Sequence, residues 1–145
     1  MTDRYTPAQI YSLVFGATLL LIGIVGFAAD SSFETGTNIS GGELIAFEVN
    51  GWHNLVHILS GLVGLALWRN PATARTYALG FGAVYAIVTL WGFIDGNTVL
   101  GLIPVNAADN VLHLLIAAAG IAAGLASAVR HEARDRDRGG AARTA

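Results

Sequence analysis

Four long apolar stretches alternate with polar segments along this chain. They cover approximately residues 7–29, 51–68, 71–94 and 107–129. A helix that crosses a bilayer core of about 30 Å needs about 20 mostly apolar residues. Helices of soluble bundles carry a polar face, which the stretches LVFGATLLLIGIVGFAA and ALGFGAVYAIVTLWGFI almost lack. The pattern therefore predicts an all-α fold, a four-helix transmembrane bundle that forms a single membrane domain over residues 1–145.

Each predicted helix begins after a residue type that commonly caps helices. Side-chain oxygens of Thr and Asn accept hydrogen bonds from the first free N–H groups, and proline suits the first helical position. The fourth helix is predicted to continue through HEARDRDR until Gly139 and Gly140 stop it. The expected capping residues are Thr6 (before Pro7), Asn50, Asn70 (before Pro71) and Asn106.

Composition supports a membrane protein and excludes several kinds of chemistry. Only 12% of the residues are charged, about half the share usual in soluble domains. The chain has no cysteine, which excludes disulfides, thiolate metal sites and thiol catalysis. Its net charge of −2 gives no reason to expect nucleic acid as a partner. The expected partners are the lipid bilayer and, as candidates, other membrane proteins or a second copy of the chain.

Arginine predicts the orientation, because cytoplasmic segments of membrane proteins are enriched in basic residues. Arg4 precedes the first stretch, Arg69 and Arg75 lie between the second and third, and the other arginines follow residue 129. The loops at 30–50 and 95–106 contain no basic residue. We therefore expect a multi-pass protein of the bacterial cytoplasmic membrane, with both termini and the tail at 131–145 in the cytoplasm.

The chain also matches itself, as repeat proteins do. VNGWHNLVH at 49–57 aligns with VNAADNVLH at 105–113, an offset of 56 residues. Upstream, GFAAD at 26–30 resembles GFID at 92–95, and a longer first outer loop accounts for the different offset there. Each half would contain two helices in the same orientation, which places the expected symmetry axis along the membrane normal. The bundle is thus predicted to consist of two parallel two-helix repeats.

The paired segments IAFEVNGWHNLVHILSGLVGL and LGLIPVNAADNVLHLLIAAAG resemble the doubled VNxxxNxxHxxxG signature of the DUF4383 family. The resemblance covers roughly residues 8–129, and it departs from the pattern at Ala117, where the first copy has Gly61. It implies a four-span bacterial membrane protein. It implies no activity, because the function of that family is unknown.

The signature residues lie at steps of three or four, which puts them on one stripe of each helix. Small residues let helices approach closely, and polar residues add hydrogen bonds between them. We therefore expect the second and fourth helices to pack on each other through these stripes. Asn54 is expected to orient His57, and Asn110 to orient His113. The polar signature comprises Asn50, Asn54 and His57 in the first copy and Asn106, Asn110 and His113 in the second.

Three interpretations of this signature remain open. In the first, the Asn and His residues only hold the outer half of the bundle together. In the second, His57 and His113 bind a metal ion or the two axial positions of a b-type haem. In the third, a small polar cavity binds a proton, an ion or a small ligand, because ionisable groups inside membranes are often functional.

Acidic residues mark the outer ends of the predicted helices. Asp109 is expected to bond back to the backbone of Asn106, as the acid of a capping box does. His53 occupies the same repeat position and is likewise expected to be an end-cap residue. Asp30 and Asp95 end the first and third helices, and we expect them to brace the neighbouring helix N-termini.

No catalytic motif is evident, so an enzyme is not expected. The leading hypothesis is a structural, accessory or interaction subunit without a cofactor. The alternative is a membrane bundle that binds a small ligand, a metal or haem through the paired Asn and His residues.

Overall fold

The computed structural model describes residues 5–143, with side chains for residues 5–94 and 96–128. Four helices account for most of this length, and two short hairpins lie between them. In chain order the elements are α1 (Pro7–Gly26), β1 (Gly42–Leu44), β2 (Phe47–Val49), α2 (Gly51–Leu67), α3 (Pro71–Asp95), β3 (Thr98–Val99), β4 (Ile103–Pro104) and α4 (Ala107–Arg143). The mainly helical, four-helix fold is as predicted.

The capping residues predicted from the sequence occupy the expected positions. Thr6 and Gln9 form a capping box at the start of α1, and Pro7 is the first residue of that helix. The side chains of Asn50 and Asn70 accept hydrogen bonds from the first turns of α2 and α3. The predicted stop at Gly139 and Gly140 is wrong, since α4 continues to Arg143.

Three helices in the described part of the chain are long and apolar enough to cross a membrane. They are Pro7–Gly26, Pro71–Ile94 and Ala107–Ala128. The apolar helix α2 is shorter, at 17 residues. At 1.5 Å per residue it extends about 25 Å, the lower end of the range for a transmembrane helix.

The loops at 27–50 and 96–106 each contain a β-hairpin, although no strand was evident in the sequence. Strand β1 pairs with β2 and β3 with β4, both antiparallel. The turn of the first hairpin has two residues, with a positive φ of 65° at Ile45, and the turn of the second has three, with positive φ angles of 57° at Leu100 and 65° at Gly101. Such turns match the twist of paired strands. The interpretation without strands is wrong because strands of two or three residues are too short to show alternation.

The helices pack as two pairs, α1 with α2 and α3 with α4. Glycine allows both close approaches. A Cβ atom added at Gly16 would lie 3.1 Å from the carbonyl oxygen of Gly61, and one at Gly82 would lie 3.0 Å from that of Ala117. The predicted packing of α2 against α4 is therefore wrong. Their small-residue stripes face α1 and α3, whose own glycines offer the complementary surface.

Two tyrosines join the helix pairs in the core. The hydroxyl of Tyr11 on α1 donates to the carbonyl oxygen of Ile116 on α4, at 3.0 Å. The hydroxyl of Tyr77 on α3 donates to the backbone carbonyl oxygen of Ser60 on α2, at 3.1 Å. Both rings are buried. Helices α1 and α3 also contact each other, so they form the centre of the bundle.

These tyrosine bonds lead to a stability prediction. Tyr11→Phe and Tyr77→Phe should each lower the free energy of unfolding by about 0.5–1.5 kcal/mol, because each removes one interhelical hydrogen bond. Tyr5→Phe is the matched control, since Tyr5 is exposed. Thermal unfolding in detergent measures the effect. Equal stability of all three variants would show that the hydroxyls do not join the pairs.

Candidate functional site

The polar signature lies at the hairpin end of the bundle, where α2 and α4 begin beneath the two hairpins. Five of its residues are buried: Asn50, Asn54, His57, Asn110 and His113. Asn106 is half-buried. Buried polar groups are costly unless they are bonded, so the partners of each side chain show what it does.

Asn50 and Asn106 connect each helix start to the hairpin of the other half. The Nδ2 group of Asn50 donates to the carbonyl oxygen of Leu102 at 2.8 Å, and the Nδ2 group of Asn106 donates to the carbonyl oxygen of Ala46 at 3.0 Å. Both acceptors lie in hairpin turns. The Oδ1 atoms of the same asparagines accept N–H bonds from His53 and Asp109. Each amide therefore caps a helix and holds a turn.

Asn54 and Asn110 lie against glycines of the preceding helices. A Cβ atom at Gly26 would overlap Oδ1 of Asn54, and one at Gly92 would overlap Oδ1 of Asn110. The Nδ2 group of Asn54 donates to the carbonyl oxygen of Asp30 at 2.8 Å. Asn54 therefore fastens the end of α1, and the prediction that it orients His57 is wrong. Its short side chain reaches the adjacent helix end instead.

The helix-end acids have different roles. Oδ2 of Asp109 accepts from the backbone N–H of Asn106, which completes the predicted capping box, and also from that of Glu48 on β2. The carboxylate of Asp30 accepts from the N–H groups of Ser32 and Gly42, so it braces the loop between α1 and α2 and not the start of α2. The bond from Ser32 contributes most to lowering the pKa of Asp30 below its usual value. The side chain of Asp95 lies outside the described residues.

Three histidines meet under the first hairpin: His53 and His57 of α2 and His113 of α4. Each offers a ring nitrogen that lies within 4.8 Å of the other two. The ring centroids of His53 and His57 are 4.4 Å apart, and those of His53 and His113 are 5.9 Å apart. The sequence interpretation paired only His57 with His113 and treated His53 as an end cap. The signal it missed was the spacing of four residues, which puts His53 and His57 on one helix face.

The surroundings of the three rings differ. Nδ1 of His53 lies 2.9 Å from the carbonyl oxygen of Glu48. A carbonyl only accepts, so this nitrogen carries the proton. Nδ1 of His57 and Nδ1 of His113 are buried without a hydrogen-bond partner in the described part of the chain. The ring of His113 also packs edge-on against Tyr85, with centroids 5.0 Å apart.

A cavity of about 230 Å³ adjoins the three rings. It lies between α1, the first hairpin and the outer turns of α2 and α4. Apart from the three histidines, Asp109 and Thr18, its lining is apolar. The apolar lining residues are Phe15, Leu19, Ile22, Leu44, Ile45, Phe47, Val49, Leu112 and Ile116.

Comparison with known proteins identifies the family. The profile described as "Domain of unknown function (DUF4383)" matches residues 9–126. The chain belongs to the DUF4383 family. The comparisons with curated proteins and with solved structures find no match. For this DUF4383 protein, functional inference therefore depends on its own residues.

The contact between asparagine and glycine gives a second stability prediction. Gly26→Ala and Gly92→Ala should each destabilise the protein by about 1–3 kcal/mol, because the added methyl group displaces a buried amide. Gly80→Ala is the control, since nothing lies within 4 Å of the position its Cβ would take. It should be neutral or slightly stabilising, as alanine favours helix. Thermal unfolding in detergent compares the three. Tolerance of alanine at both Gly26 and Gly92 would contradict the packing described.

Proposed function

We propose that this DUF4383 protein is a non-enzymatic structural or accessory subunit that spans the bacterial cytoplasmic membrane four times. One observation carries the proposal: the amide groups of Asn50 and Asn106 are hydrogen-bonded to backbone of the same chain. Nδ2 of Asn54 also donates to a backbone carbonyl oxygen, and Oδ2 of Asp109 accepts from two backbone N–H groups. The most polar part of the family signature therefore holds an outer cap of two hairpins on the bundle.

The hairpins form one connected cap. Strands β2 and β4 contact each other, and the N–H of Gly36 donates to the carbonyl oxygen of Gly101 at 2.9 Å. Together with the reciprocal bonds of Asn50 and Asn106, these contacts link the outer loop of each half to the other half. A fixed outer surface of this kind suits a protein that contacts another membrane protein or a second copy of itself.

We also infer that the two halves are repeats, and matching contacts support this. Asn50 donates to Leu102, and Asn106 donates to Ala46. The offset of 56 residues relates Asn50 to Asn106 and Ala46 to Leu102, so each bond is the repeat equivalent of the other. The acceptors of the two core tyrosines, Ser60 and Ile116, differ by the same offset. Such an exchange is what an axis between the halves, along the membrane normal, produces.

The membrane orientation is part of the proposal. Large apolar side chains such as Leu21, Ile87 and Leu115 are more than half exposed on the helices, which fits lipid as their solvent. At the other end of the bundle, the side chain of Arg75 donates to the carbonyl oxygen of Gly124. This places a basic residue at the end opposite the hairpins, and the basic end is expected in the cytoplasm.

The histidine cluster favours a ligand-binding function as the second candidate, and the size of the cavity limits the ligand. Small-molecule sites usually have about 300–1,000 Å³, and this cavity has about 230 Å³. A haem macrocycle needs more room than this cavity offers, whereas a single ion does not. The geometry thus favours an ion over a haem.

The structural role of the cap asparagines can be tested without removing a helix cap. Asn50→Asp and Asn106→Asp keep the capping oxygen and lose the donor to the opposite turn. Each loses about 1 kcal/mol of local stability, so amide hydrogen exchange in that turn should be about fivefold faster. The affected segment is 98–104 for Asn50→Asp and 42–49 for Asn106→Asp.

Asn38→Asp is the control for this exchange experiment, because Asn38 is exposed in the first outer loop and the change adds the same charge. It should leave exchange in both hairpins unaltered. Faster exchange only in the hairpin of the half that carries the substitution, or no faster exchange at all, would refute the proposed bonds between each asparagine and the opposite hairpin.

The absence of cysteine allows a direct test of orientation. A cysteine introduced as Asn38→Cys should react with a membrane-impermeant maleimide in intact spheroplasts, whereas Ala142→Cys should react only after permeabilisation. Reaction of both after permeabilisation controls for buried thiols. The opposite labelling pattern would reverse the proposed orientation.

A further inference from the structure

We propose that His53, His57 and His113 form a binding site for a divalent transition-metal ion, with Zn²⁺ as the expected ion. The three rings come from two helices, and each offers a nitrogen within 4.8 Å of the other two. Imidazole is a common ligand of zinc, and three protein ligands with one open position are typical of sites that also bind a small molecule.

The spacing is close to what a zinc ion requires. Three nitrogens at about 2.0–2.1 Å from a tetrahedral ion lie roughly 3.3 Å apart. Each nitrogen would therefore move inward by less than about 1 Å. Rotation of a histidine side chain is enough for such a shift and leaves the helices in place.

His53 already has the orientation of a metal ligand. Its Nδ1 group donates to the carbonyl oxygen of Glu48 at 2.9 Å, so in the neutral ring Nε2 has the free lone pair. Metal-binding histidines usually donate their other N–H to a carbonyl or carboxylate, which fixes the ring. Here strand β2 provides that support through its backbone.

Hydrogen bonding does not account for the burial of the other two rings, those of His57 and His113. His57 is 8% exposed and His113 is 4% exposed, and Nδ1 of each has no hydrogen-bond partner among the described residues. A buried polar atom without a partner is costly. Fastening the bundle would require bonded rings, whereas an ion at the centre of the three rings would take a lone pair from each.

The surroundings suit a cation near the membrane surface. Asp109 lines the same cavity and is 2% exposed, so a negative charge on its carboxyl group would offset part of the ion's charge. The cavity of about 230 Å³ leaves room for water or a small ligand at the open position. The first hairpin lines one side of the cavity through Leu44, Ile45, Phe47 and Val49.

Metal binding to purified protein tests the proposal. The protein is prepared in detergent with a histidine-free affinity tag, stripped with EDTA, freed of the chelator and dialysed against Zn²⁺. Mass spectrometry of the metal should find one equivalent per chain. His53→Ala, His57→Ala and His113→Ala should each weaken binding by more than about 100-fold, since even loss of a group that only supports a ligand costs 10–100-fold.

His131→Ala is the matched control. Position 131 is 18 residues beyond His113 on α4, about 27 Å along the helix, so the control should bind like the wild type. His53→Ala also separates this site from haem binding, because haem ligated by His57 and His113 would not need His53. Each variant's helical content and unfolding temperature are measured without metal.

A measurement on unmodified protein covers the case in which the variants do not fold. With Cu²⁺ as the spectroscopic probe, pulsed electron paramagnetic resonance should detect several coordinated imidazoles per ion. Zn²⁺ should also raise the unfolding temperature of the wild type, because binding to the folded state stabilises it. The proposal fails if the wild type binds no Zn²⁺, if the probe detects no imidazole, or if a folded triple variant retains the metal.

Discussion

The contact of Asn54 with Gly26, and of Asn110 with Gly92, sets the geometry of the hairpin end of the bundle. Because these glycines have no Cβ, the amide of each asparagine lies directly against the neighbouring helix. Asn54 can therefore reach the carbonyl oxygen of Asp30. The start of α2 is thereby held beside the end of α1, and the outer loop must return over the bundle between them.

This constraint explains why so many polar residues lie in an apolar bundle. Irregular backbone close to a membrane cannot rely on water, so side chains must satisfy its N–H and carbonyl groups. Asn50, Asn106 and Asp109 do this for the two hairpins. Their amide and carboxyl groups also cap α2 and α4. A few side chains thus start the helices and close the loops above them.

The helices and their caps could be predicted from the sequence, because apolar length and capping residues are local signals. The pairing of helices could not. The stripe containing Gly61 was visible, but its partner stripe through Gly16 and Gly26 was hidden in a helix that looked uniformly apolar. The hairpins were too short to show alternation. The prediction for His53 was wrong because its burial depends on α4, which is distant in sequence, and on a hairpin that the sequence did not show.

The two halves differ near the starts of α2 and α4. His53 and Asp109 hold equivalent positions at the third residue of α2 and of α4. Asp109 bonds to its own helix cap and to Glu48, as a fastening role requires. Nδ1 of His53 donates to the carbonyl oxygen of the same Glu48, and its ring also lies against those of His57 and His113. Both residues therefore bond to strand β2, but of these two equivalent positions only that of His53 adds a ring to the cluster. The substitution of a histidine at one of them produces a cluster of three rings beside a single carboxylate, which is the asymmetry that an ion-binding site can use.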